Sequence, residues 1–390
     1  MSRSISYEDS LKATSLLAGG SVEGKKGKAT DKRRAVSLFS GAGGMGVGVE
    51  RRGFDTIFAN DINEDACQTH RQNVGEIKSG DIRSHFEELA SLKDVDLIYG
   101  GPSCQGFSTA GRQDRDDPRS KHVWTYLEVV RMVRPRCLLI ENVVGMLNTR
   151  KFAGLMPAIL DYLRELGYIA GYTVVNSSEH GTPQKRRRVI IVGFLTKSGA
   201  IGLVPDLESM LAPYKSSAKS VKEVLSVLDN VRDDTGNNHL WSKAKIIPAP
   251  HPSFGKGVFS SLLFGGFGRF LRMSGWSPTI LSYSGNALPI IDELEFGDTT
   301  GRTNNWGSMY YDYLMNGGIP GSWKVPSYIR RISVREAQLL QTFPVDFEFF
   351  GTMTSQYAQI GNAVPCEMAY SLACMMMDYL DSGKIIVVNK

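Results

Sequence analysis

The chain has 390 residues, of which 42% are hydrophobic, and a formal net charge of +5 at pH 7. This length suits two domains, or one large domain with an insertion, and the mild positive charge permits a nucleic-acid partner without requiring one. The five cysteines form no Cys-x-x-Cys pair and have no histidine cluster nearby, so the sequence predicts neither a zinc site nor a disulfide framework, and favours a reducing cytosol. No apolar run is long enough to cross a membrane, and the polar N-terminus lacks the apolar core of a secretory signal.

Residues 1–33 are rich in Ser, Gly, Lys and Thr, which predicts a flexible polar tail. Beyond them, short apolar runs alternate with helix-like stretches, as buried strands and crossover helices do in parallel sheets. This alternation predicts a doubly wound, Rossmann-like α/β sheet. The predicted strands are Ala35–Phe39, Thr56–Ala59, Val95–Tyr99, Cys137–Ile140 and Val189–Leu195, and the predicted helices between them include Asn63–Asn73 and His122–Val133.

The alternation of strands and helices fades after Leu195. Residues 196–330 are rich in Gly, Ser and aromatic residues, which indicates a smaller, irregular domain that contains β-strands. Helix-like segments return at Ser333–Thr342 and Pro365–Leu380. We therefore predict a main domain in two parts, 34–195 and 357–390, an inserted domain over 196–330, and a hinge or connecting segment over 331–356.

A glycine-rich segment, Phe39-Ser40-Gly41-Ala42-Gly43-Gly44-Met45-Gly46, follows the first predicted strand and begins a helix. Glycines at such a turn let the backbone bend sharply and approach a ligand closely. Asp61 ends the next strand, where its carboxylate can accept ribose hydroxyls, and Asp81 could contact an adenine amino group. Taken alone, this motif is equally compatible with a nicotinamide dinucleotide, with S-adenosylmethionine, or with a tight turn that binds nothing.

Cys104 follows the strand Val95–Tyr99, at the edge where open α/β sheets bind their ligands. Its neighbours are Gly, Pro and Ser, which predict an exposed loop, and a cysteine nucleophile needs that exposure. A buried, inert cysteine is the alternative. Glu141 ends the apolar run Cys137–Ile140, where a carboxyl group is costly unless it is paired or directed into a site. A helix cap or turn carboxylate is the alternative there.

A basic run, Gln184-Lys185-Arg186-Arg187-Arg188, precedes the strand Val189–Leu195. Side chains alternate across a strand, so Arg186 and Arg188 are predicted to share one face. Two arginines on one face can clamp an anionic or carbonyl-bearing ligand. A solvated cluster of charges is the alternative interpretation.

These segments, in this order, resemble the DNA cytosine-5 methyltransferase family, of the bacterial restriction-modification type. The resemblance covers roughly 34–194 and 330–380. The family usually has Pro-Pro-Cys where this chain has Pro102-Ser103-Cys104, and serine there does not remove the nucleophile. The six motifs that carry the resemblance are Phe-Ser-Gly-Ala-Gly-Gly at 39–44, Gly-Gly-Pro-Ser-Cys-Gln-Gly-Phe-Ser at 100–108, Glu-Asn-Val at 141–143, Gln-Lys-Arg-Arg-Arg at 184–188, the segment 331–344, and Gln-Ile-Gly-Asn-Ala-Val-Pro at 359–365.

The resemblance implies transfer of a methyl group from S-adenosylmethionine to carbon-5 of a flipped-out cytosine in a specific double-stranded DNA sequence. It implies that Cys104 adds to carbon-6 of the base, that Glu141 neutralises the charge on nitrogen-3, and that Arg186 and Arg188 hold the base carbonyl. Loss of the carbon-5 proton then expels the cysteine. The cofactor-binding residues that the resemblance implies are Phe39, Ser40, Gly41, Gly43, Gly44, Asp61, Ile62, Asp81, Ile82, Asn362 and Val364.

The resemblance also implies that residues 196–330 recognise the DNA sequence. It implies a monomer in the bacterial cytoplasm, double-stranded DNA as partner, no metal, S-adenosylhomocysteine as product, and a functional pairing with a restriction endonuclease. A nicotinamide-dependent dehydrogenase would explain the glycine segment but not Cys104 or the basic run. A DNA-binding module without activity and an RNA-modifying enzyme are further alternatives. The DNA contacts implied are Gln105, Ser108, Arg119 and Thr279.

Overall fold

The computed structural model describes residues 32–102, 122–147, 152, 154–196, 203–231, 271, 275–282, 289–291, 316–318 and 329–389. The predicted tail therefore lies outside the described residues except for Lys32 and Arg33. Most of the region 196–330 also lies outside them. Within the described part of the chain, no helix is long and apolar enough to cross a membrane.

The described residues form strands and helices that we number in chain order. The strands are β1 (Arg33–Leu38), β2 (Phe54–Asp61), β3 (Lys78–Ser79), β4 (Leu97–Gly100), β5 (Cys137–Val143), β6 (Tyr168–Asn176), β7 (Gln184–Lys185), β8 (Arg187–Leu195), β9 (Leu203–Pro205), β10 (Ser277–Pro278), β11 (Pro289–Ile291), β12 (Ile329–Arg331) and β13 (Val387–Asn389). The α-helices are α1 (Gly44–Arg51), α2 (Glu64–Asn73), α3 (Phe86–Ser91), α4 (His122–Val133), α5 (Leu155–Glu165), α6 (Leu207–Leu211), α7 (Val221–Leu225), α8 (Val334–Leu340), α9 (Met353–Asn362) and α10 (Cys366–Ser382).

A seven-stranded sheet with the order β3-β2-β1-β4-β5-β8-β6 forms the centre of the molecule. Strand β1 pairs in parallel with β2 and β4, and β4 pairs in parallel with β5. The chain extends the sheet from β1 in one direction through β2 and β3, and then in the other through β4 and β5. The carboxyl ends of β1 and β4 therefore flank a topological switch point, which is where open α/β sheets bind ligands.

Helices cover both faces of this sheet because alternate residues of each buried strand point to opposite sides. Leu138 and Ile140 of β5 pack into a core with α4 and α5. Cys137 and Leu139 pack into a second core with α1 and α10. The sheet is thus buried on both faces, which explains why its strands are continuous apolar runs.

The elements predicted from hydrophobic periodicity are present, with bounds that differ by a few residues, and α4 coincides with its predicted range. Its end is set locally: Arg134, which precedes Pro135, adopts a positive φ of 55°. Helix α8 begins at a capping box in which Ser333 and Glu336 bond each other's backbone amides.

The parallel orientation predicted for the strand at Val189–Leu195 is wrong, because β8 runs antiparallel to both β5 and β6. The sequence analysis did not include β6, whose half-exposed tyrosine and threonine interrupt the apolar pattern. A short connection, 177–186, joins β6 to β8. Parallel neighbours need a crossover of a dozen or more residues, usually a helix, so this connection favours antiparallel pairing.

Candidate active site

A cavity of about 570 Å³ opens at the switch point, at the carboxyl ends of β1, β2, β4 and β5. The end of α9 closes its far side through Asn362, with Val364 just beyond the helix. This volume is in the range of sites that hold a small organic ligand. Every residue that the sequence analysis assigned to cofactor binding lines this cavity, apart from Gly43.

The glycine segment forms the turn between β1 and α1. Phe39 and Gly41 both have a positive φ, of 54° and 55°, and a Cβ on Gly41 would meet no atom within 4 Å. At Gly43, glycine is required by packing, because a Cβ there would lie 2.6 Å from Cγ2 of Val74. No described side chain caps the N-terminus of α1, whose N-cap residue is Gly43. The segment therefore presents backbone and empty space to the cavity.

Asp61 fixes this turn to the end of β2. Its Oδ2 accepts a hydrogen bond from the Gly41 amide at 2.7 Å, and its Oδ1 accepts one from the Asn63 amide at 2.9 Å. Burial raises the pKa of the Asp61 carboxyl group. The neighbouring Asn60 donates from Nδ2 to the carbonyls of Lys78 and Gly80, at 3.0 and 3.1 Å. These bonds hold the wall of the cavity in one shape before any ligand binds.

Asp81 and Ile62 line another part of the wall. The hydrogen bonds of the Arg83 guanidinium lower the pKa of Asp81 to about 2, so this carboxylate is ionised and accepts hydrogen bonds only. Ile62 leaves 74% of its surface exposed, although it is a large apolar residue. An exposed apolar side chain beside a polar acceptor suits a flat heterocyclic ligand.

Glu141 lies at the end of β5, lines the cavity and is buried. Nε of Arg188 forms an ion pair with its Oε1 at 2.7 Å, and both side chains are largely shielded from solvent. A Cβ at Gly101 would be 3.3 Å from Oε2 of Glu141, so glycine gives this carboxylate room. Asn142 donates from Nδ2 to the Pro102 carbonyl at 3.2 Å. The Glu-Asn pair thus fixes the residues that lead into the cysteine segment.

Arg186 bonds to two backbone carbonyls. Its Nη1 donates to the Ile280 carbonyl at 3.1 Å and its Nη2 donates to the Gly361 carbonyl at 2.9 Å. The prediction of a shared face assumed one continuous strand, but β7 ends before Arg186 and β8 begins after it. The structure therefore brings Arg188 to Glu141, whereas two hydrogen bonds of Arg186 lead to Ile280 and Gly361.

Cys104 lies outside the described residues, as do Gln105, Ser108 and Arg119, because the described chain stops at Pro102 and resumes at His122. Thr279 is described, and its Oγ1 donates to the Lys185 carbonyl at 2.8 Å. Within the described ranges, no group of three or more His, Cys, Asp or Glu side chains is arranged to hold a metal ion. The polar cavity residues that sequence analysis missed are Ser37, Asn60, Asn63, Arg83, Tyr99, His122, Thr125, Ser355 and Gln359.

Comparison with known proteins identifies the family. Residues 33–377 match the family described as C-5 cytosine-specific DNA methylase. The chain is 29% identical over 361 residues to the type II methyltransferase M.NgoFVII of Neisseria gonorrhoeae, covering 88% of this chain and 86% of that protein. It is 27% identical over 373 residues to the type II methyltransferase M.FnuDI of Fusobacterium nucleatum, covering 90% and 96% respectively.

Solved structures show the same fold. The Dnmt2 methyltransferase of S. pombe aligns with a TM-score of 0.58 over 90% of this chain and 100% of its own, at 19% identity. These findings confirm the resemblance carried by the six sequence motifs. The chain belongs to the C-5 cytosine-specific DNA methylase family and is a DNA (cytosine-5) methyltransferase.

Proposed function

We propose that the cavity at the switch point binds S-adenosylmethionine, the methyl donor, and releases S-adenosylhomocysteine. The observation that carries this proposal is the convergence of the glycine turn, Asp61, Asp81 and Glu141 on one cavity. The space beside Gly41 would be filled by any larger side chain, and the free end of α1 offers amide donors to a carboxylate. When bound, this cofactor supplies an electrophilic methyl group.

Within this cofactor site we assign ribose hydroxyls to Asp61 and the adenine to Asp81, Ile62 and Ile82. Backbone amides, among them those of Gly41 and Asn63, already donate to the Asp61 oxygens, and a carboxylate has about four acceptor positions, so capacity for a hydroxyl donor is left. Asp81 can accept from an exocyclic amino group, and Ile62 offers an exposed apolar surface to a ring. Phe39, Ser40, Gly44, Asn362 and Val364 complete the wall.

We propose that Cys104 is the nucleophile. Its thiolate adds to carbon-6 of cytosine, the ring electrons shift toward carbon-5 and nitrogen-3, and Glu141 donates a proton at nitrogen-3. After methylation a base removes the carbon-5 proton, the electron pair of that bond re-forms the carbon-5–carbon-6 double bond and expels the Cys104 thiolate, and the nitrogen-3 proton returns to Glu141. The base must leave the helix for these groups to reach it. Arg188, whose Nε lies 2.7 Å from Oε1, holds the Glu141 carboxyl group in position for this proton transfer, which Glu141 carries out in its protonated form.

The other cysteines of the described chain support this choice. Cys67, Cys137, Cys366 and Cys374 are all buried. Burial raises the pKa of each of their thiols, to about 11 for Cys67. A buried thiol with a raised pKa supplies little thiolate at neutral pH and cannot meet a base.

We further propose that residues 196–330 choose the DNA sequence, while 34–195 and 357–390, joined by a connecting segment at 331–356, carry out the chemistry. Helix α10 supports this division because it packs into the same core as α1 and β4. Gln105, Ser108, Arg119 and Thr279 are proposed DNA contacts. Since the relatives in Neisseria and Fusobacterium are type II methyltransferases, we propose that this cytoplasmic enzyme protects DNA alongside a bacterial restriction endonuclease.

A trapping experiment tests the proposed chemistry. Duplex DNA with 5-fluorocytosine at the target should form a covalent adduct with the enzyme in the presence of S-adenosylmethionine, because fluorine blocks proton loss at carbon-5. Cys104→Ala should bind DNA and S-adenosylhomocysteine but form no adduct on a denaturing gel. Peptide mapping that located the adduct at Cys67 or Cys137 would overturn the assignment.

A domain exchange tests the division of labour. Residues 196–330 are replaced by the corresponding region of a relative that methylates a different sequence, and DNA from expressing cells is analysed by bisulfite sequencing. We expect the donor's target to be methylated, because base-edge contacts worth about 1–3 kcal/mol per base pair move with the exchanged region. An active chimera that kept the original target would contradict this proposal.

A further inference from the structure

Arg186 is among the largest fully buried side chains of the described residues, with 1% of its surface exposed. A guanidinium is always charged, and burying it is costly unless acceptors surround it. Two of the acceptors here are the backbone carbonyls of Ile280 and Gly361. These two residues belong to chain segments that are far apart in sequence, so one side chain joins them.

The first of these segments belongs to the proposed recognition region. Strand β10 pairs in parallel with β7, which places Ser277 beside Gln184. The Ile280 amide donates to Oε1 of Gln184 at 3.0 Å, and Thr279 donates to the Lys185 carbonyl. The backbone of this segment is therefore held by β7 and the arginine that follows it.

The second segment is the end of α9. Gly361 precedes Asn362, which lines the cofactor cavity. The two segments touch directly: a Cβ on Gly361 would lie 2.3 Å from the carbonyl carbon of Leu281. A short hydrogen-bonded chain supports the contact, since Gln184 donates to Gln341 at 3.1 Å and Gln341 donates to the Ile360 carbonyl at 2.7 Å.

The burial of Arg186 also argues against a direct base contact, because its guanidinium is covered by protein on all sides. Two directional hydrogen bonds fix the distance between the two carbonyls far more tightly than an apolar side chain of similar volume would. A change in the position of either segment must therefore strain or break a bond to the same buried charge. That arrangement makes the two segments move together.

We propose that Arg186 is a positioning residue that couples the cofactor cavity to DNA recognition. A ligand that orders the end of α9 also orders the segment 279–281, and DNA bound at that segment orders the cavity. The inference rests on the proposed cofactor site. Coupling between two binding sites is reciprocal, so each ligand must raise the affinity of the other by the same factor, typically about 5–150-fold.

The test compares four affinities for each protein variant. S-adenosylhomocysteine binding is measured by calorimetry with and without a saturating duplex, and binding of that duplex is measured by fluorescence anisotropy with and without S-adenosylhomocysteine. The duplex carries the target found by bisulfite sequencing. We expect wild-type coupling of about fivefold or more. In Arg186→Lys, a single ammonium on a flexible stem replaces the rigid guanidinium fork that bonds both carbonyls. We expect coupling to fall below about twofold while affinity for S-adenosylhomocysteine alone stays within about threefold.

Arg335→Lys is the matched control. Arg335 also donates to a backbone carbonyl, that of Phe347 at 3.0 Å, but it lies outside this junction, so its variant should keep the wild-type coupling. Gly361→Ala disturbs the contact between Gly361 and Leu281 and leaves the Arg186 charge in place. If Arg186→Lys does not fold, the coupling measured in Gly361→Ala is the test. Wild-type coupling in a folded Arg186→Lys or Gly361→Ala variant would overturn the inference. So would a wild type that methylates DNA yet shows no coupling, a result that leaves the proposed function intact.

Discussion

Glu50 lies in α1, behind the glycine turn, and should make the stability of the enzyme depend on pH. Burial raises the pKa of its carboxyl group from 4.5 to about 7, with a smaller contribution from the charge of Asp55. A hydrogen bond with Thr56 and the charge of Lys32 act in the opposite direction but are weaker. Near neutral pH the Glu50 carboxyl group of the folded enzyme is therefore about half protonated, whereas a carboxyl group with the ordinary pKa would be fully ionised.

The direction of the effect follows from proton binding. Between pH 4.5 and 7 the folded chain keeps a proton on Glu50 that the unfolded chain has released, so the free energy of unfolding falls as pH rises. Each tenfold change in an acid constant is worth about 1.4 kcal/mol. The rise in pKa thus corresponds to about 3 kcal/mol, present in full below pH 4.5 and lost above about pH 7.

Glu50→Gln replaces the carboxyl group with a neutral group of the same shape. It should match the wild type near pH 4 and exceed its free energy of unfolding by up to about 3 kcal/mol at pH 8. Urea unfolding at several pH values measures both proteins, with Glu87→Gln as a control at an exposed carboxyl group of α3. Parallel curves for Glu50→Gln and the wild type across this range would refute the argument.

Three further substitutions test the packing and charges around the site. Gly48→Ala places a Cβ 2.5 Å from the backbone of α10 and should lower the free energy of unfolding by about 1–3 kcal/mol in urea. In the control Gly46→Ala, in the same helix, the nearest atom is 3.4 Å from the new Cβ, so this variant should be as stable as the wild type or more stable. A larger loss for Gly46→Ala than for Gly48→Ala would contradict the packing. Asp61→Asn should weaken S-adenosylhomocysteine binding about tenfold in calorimetry, because the turn loses a charged acceptor, and unchanged affinity would argue against that role. Arg188→Met leaves the Glu141 charge buried without its partner and should lower the free energy of unfolding by about 3–5 kcal/mol. Adding Glu141→Gln to this variant should restore most of the loss in a double-mutant cycle. Additive losses would exclude the ion pair as the cause.

The parts of the fold that sequence reasoning predicted are those with local causes. The strands of the central sheet are buried on both faces, so each is a short apolar run that stands out from its surroundings. The glycine turn and Asp61 could be assigned to one site because consecutive parallel strands end at the same edge. Helix α4 was predicted in full because its end coincides with Arg134 and Pro135, which interrupt a helix for local steric reasons.

The parts that were missed depend on contacts between distant segments. Ser355 and Gln359 line the cavity from α9, and nothing near them in sequence refers to the glycine turn. The sequence did not indicate the contacts of Arg186 with Ile280 and Gly361, because these are contacts with main-chain carbonyls, which every residue has and no motif identifies. The coupling role that we propose for Arg186 depends on the fold, which places Ile280 and Gly361 on either side of it.

The missed orientation of β8 has a functional consequence. In a parallel pair, the start of β8 would lie at the amino end of β5, so Arg188 and Glu141 would be at opposite edges of the sheet. Antiparallel pairing instead places Arg188 beside Val143, two residues beyond Glu141, at the edge where the cavity opens. The ion pair of 2.7 Å is possible only in this orientation. The same reasoning applies to a sequence in which an acidic residue ends one apolar run and a basic cluster begins a later one. If both groups belong to a single site, the pattern predicts that the two strands are antiparallel neighbours.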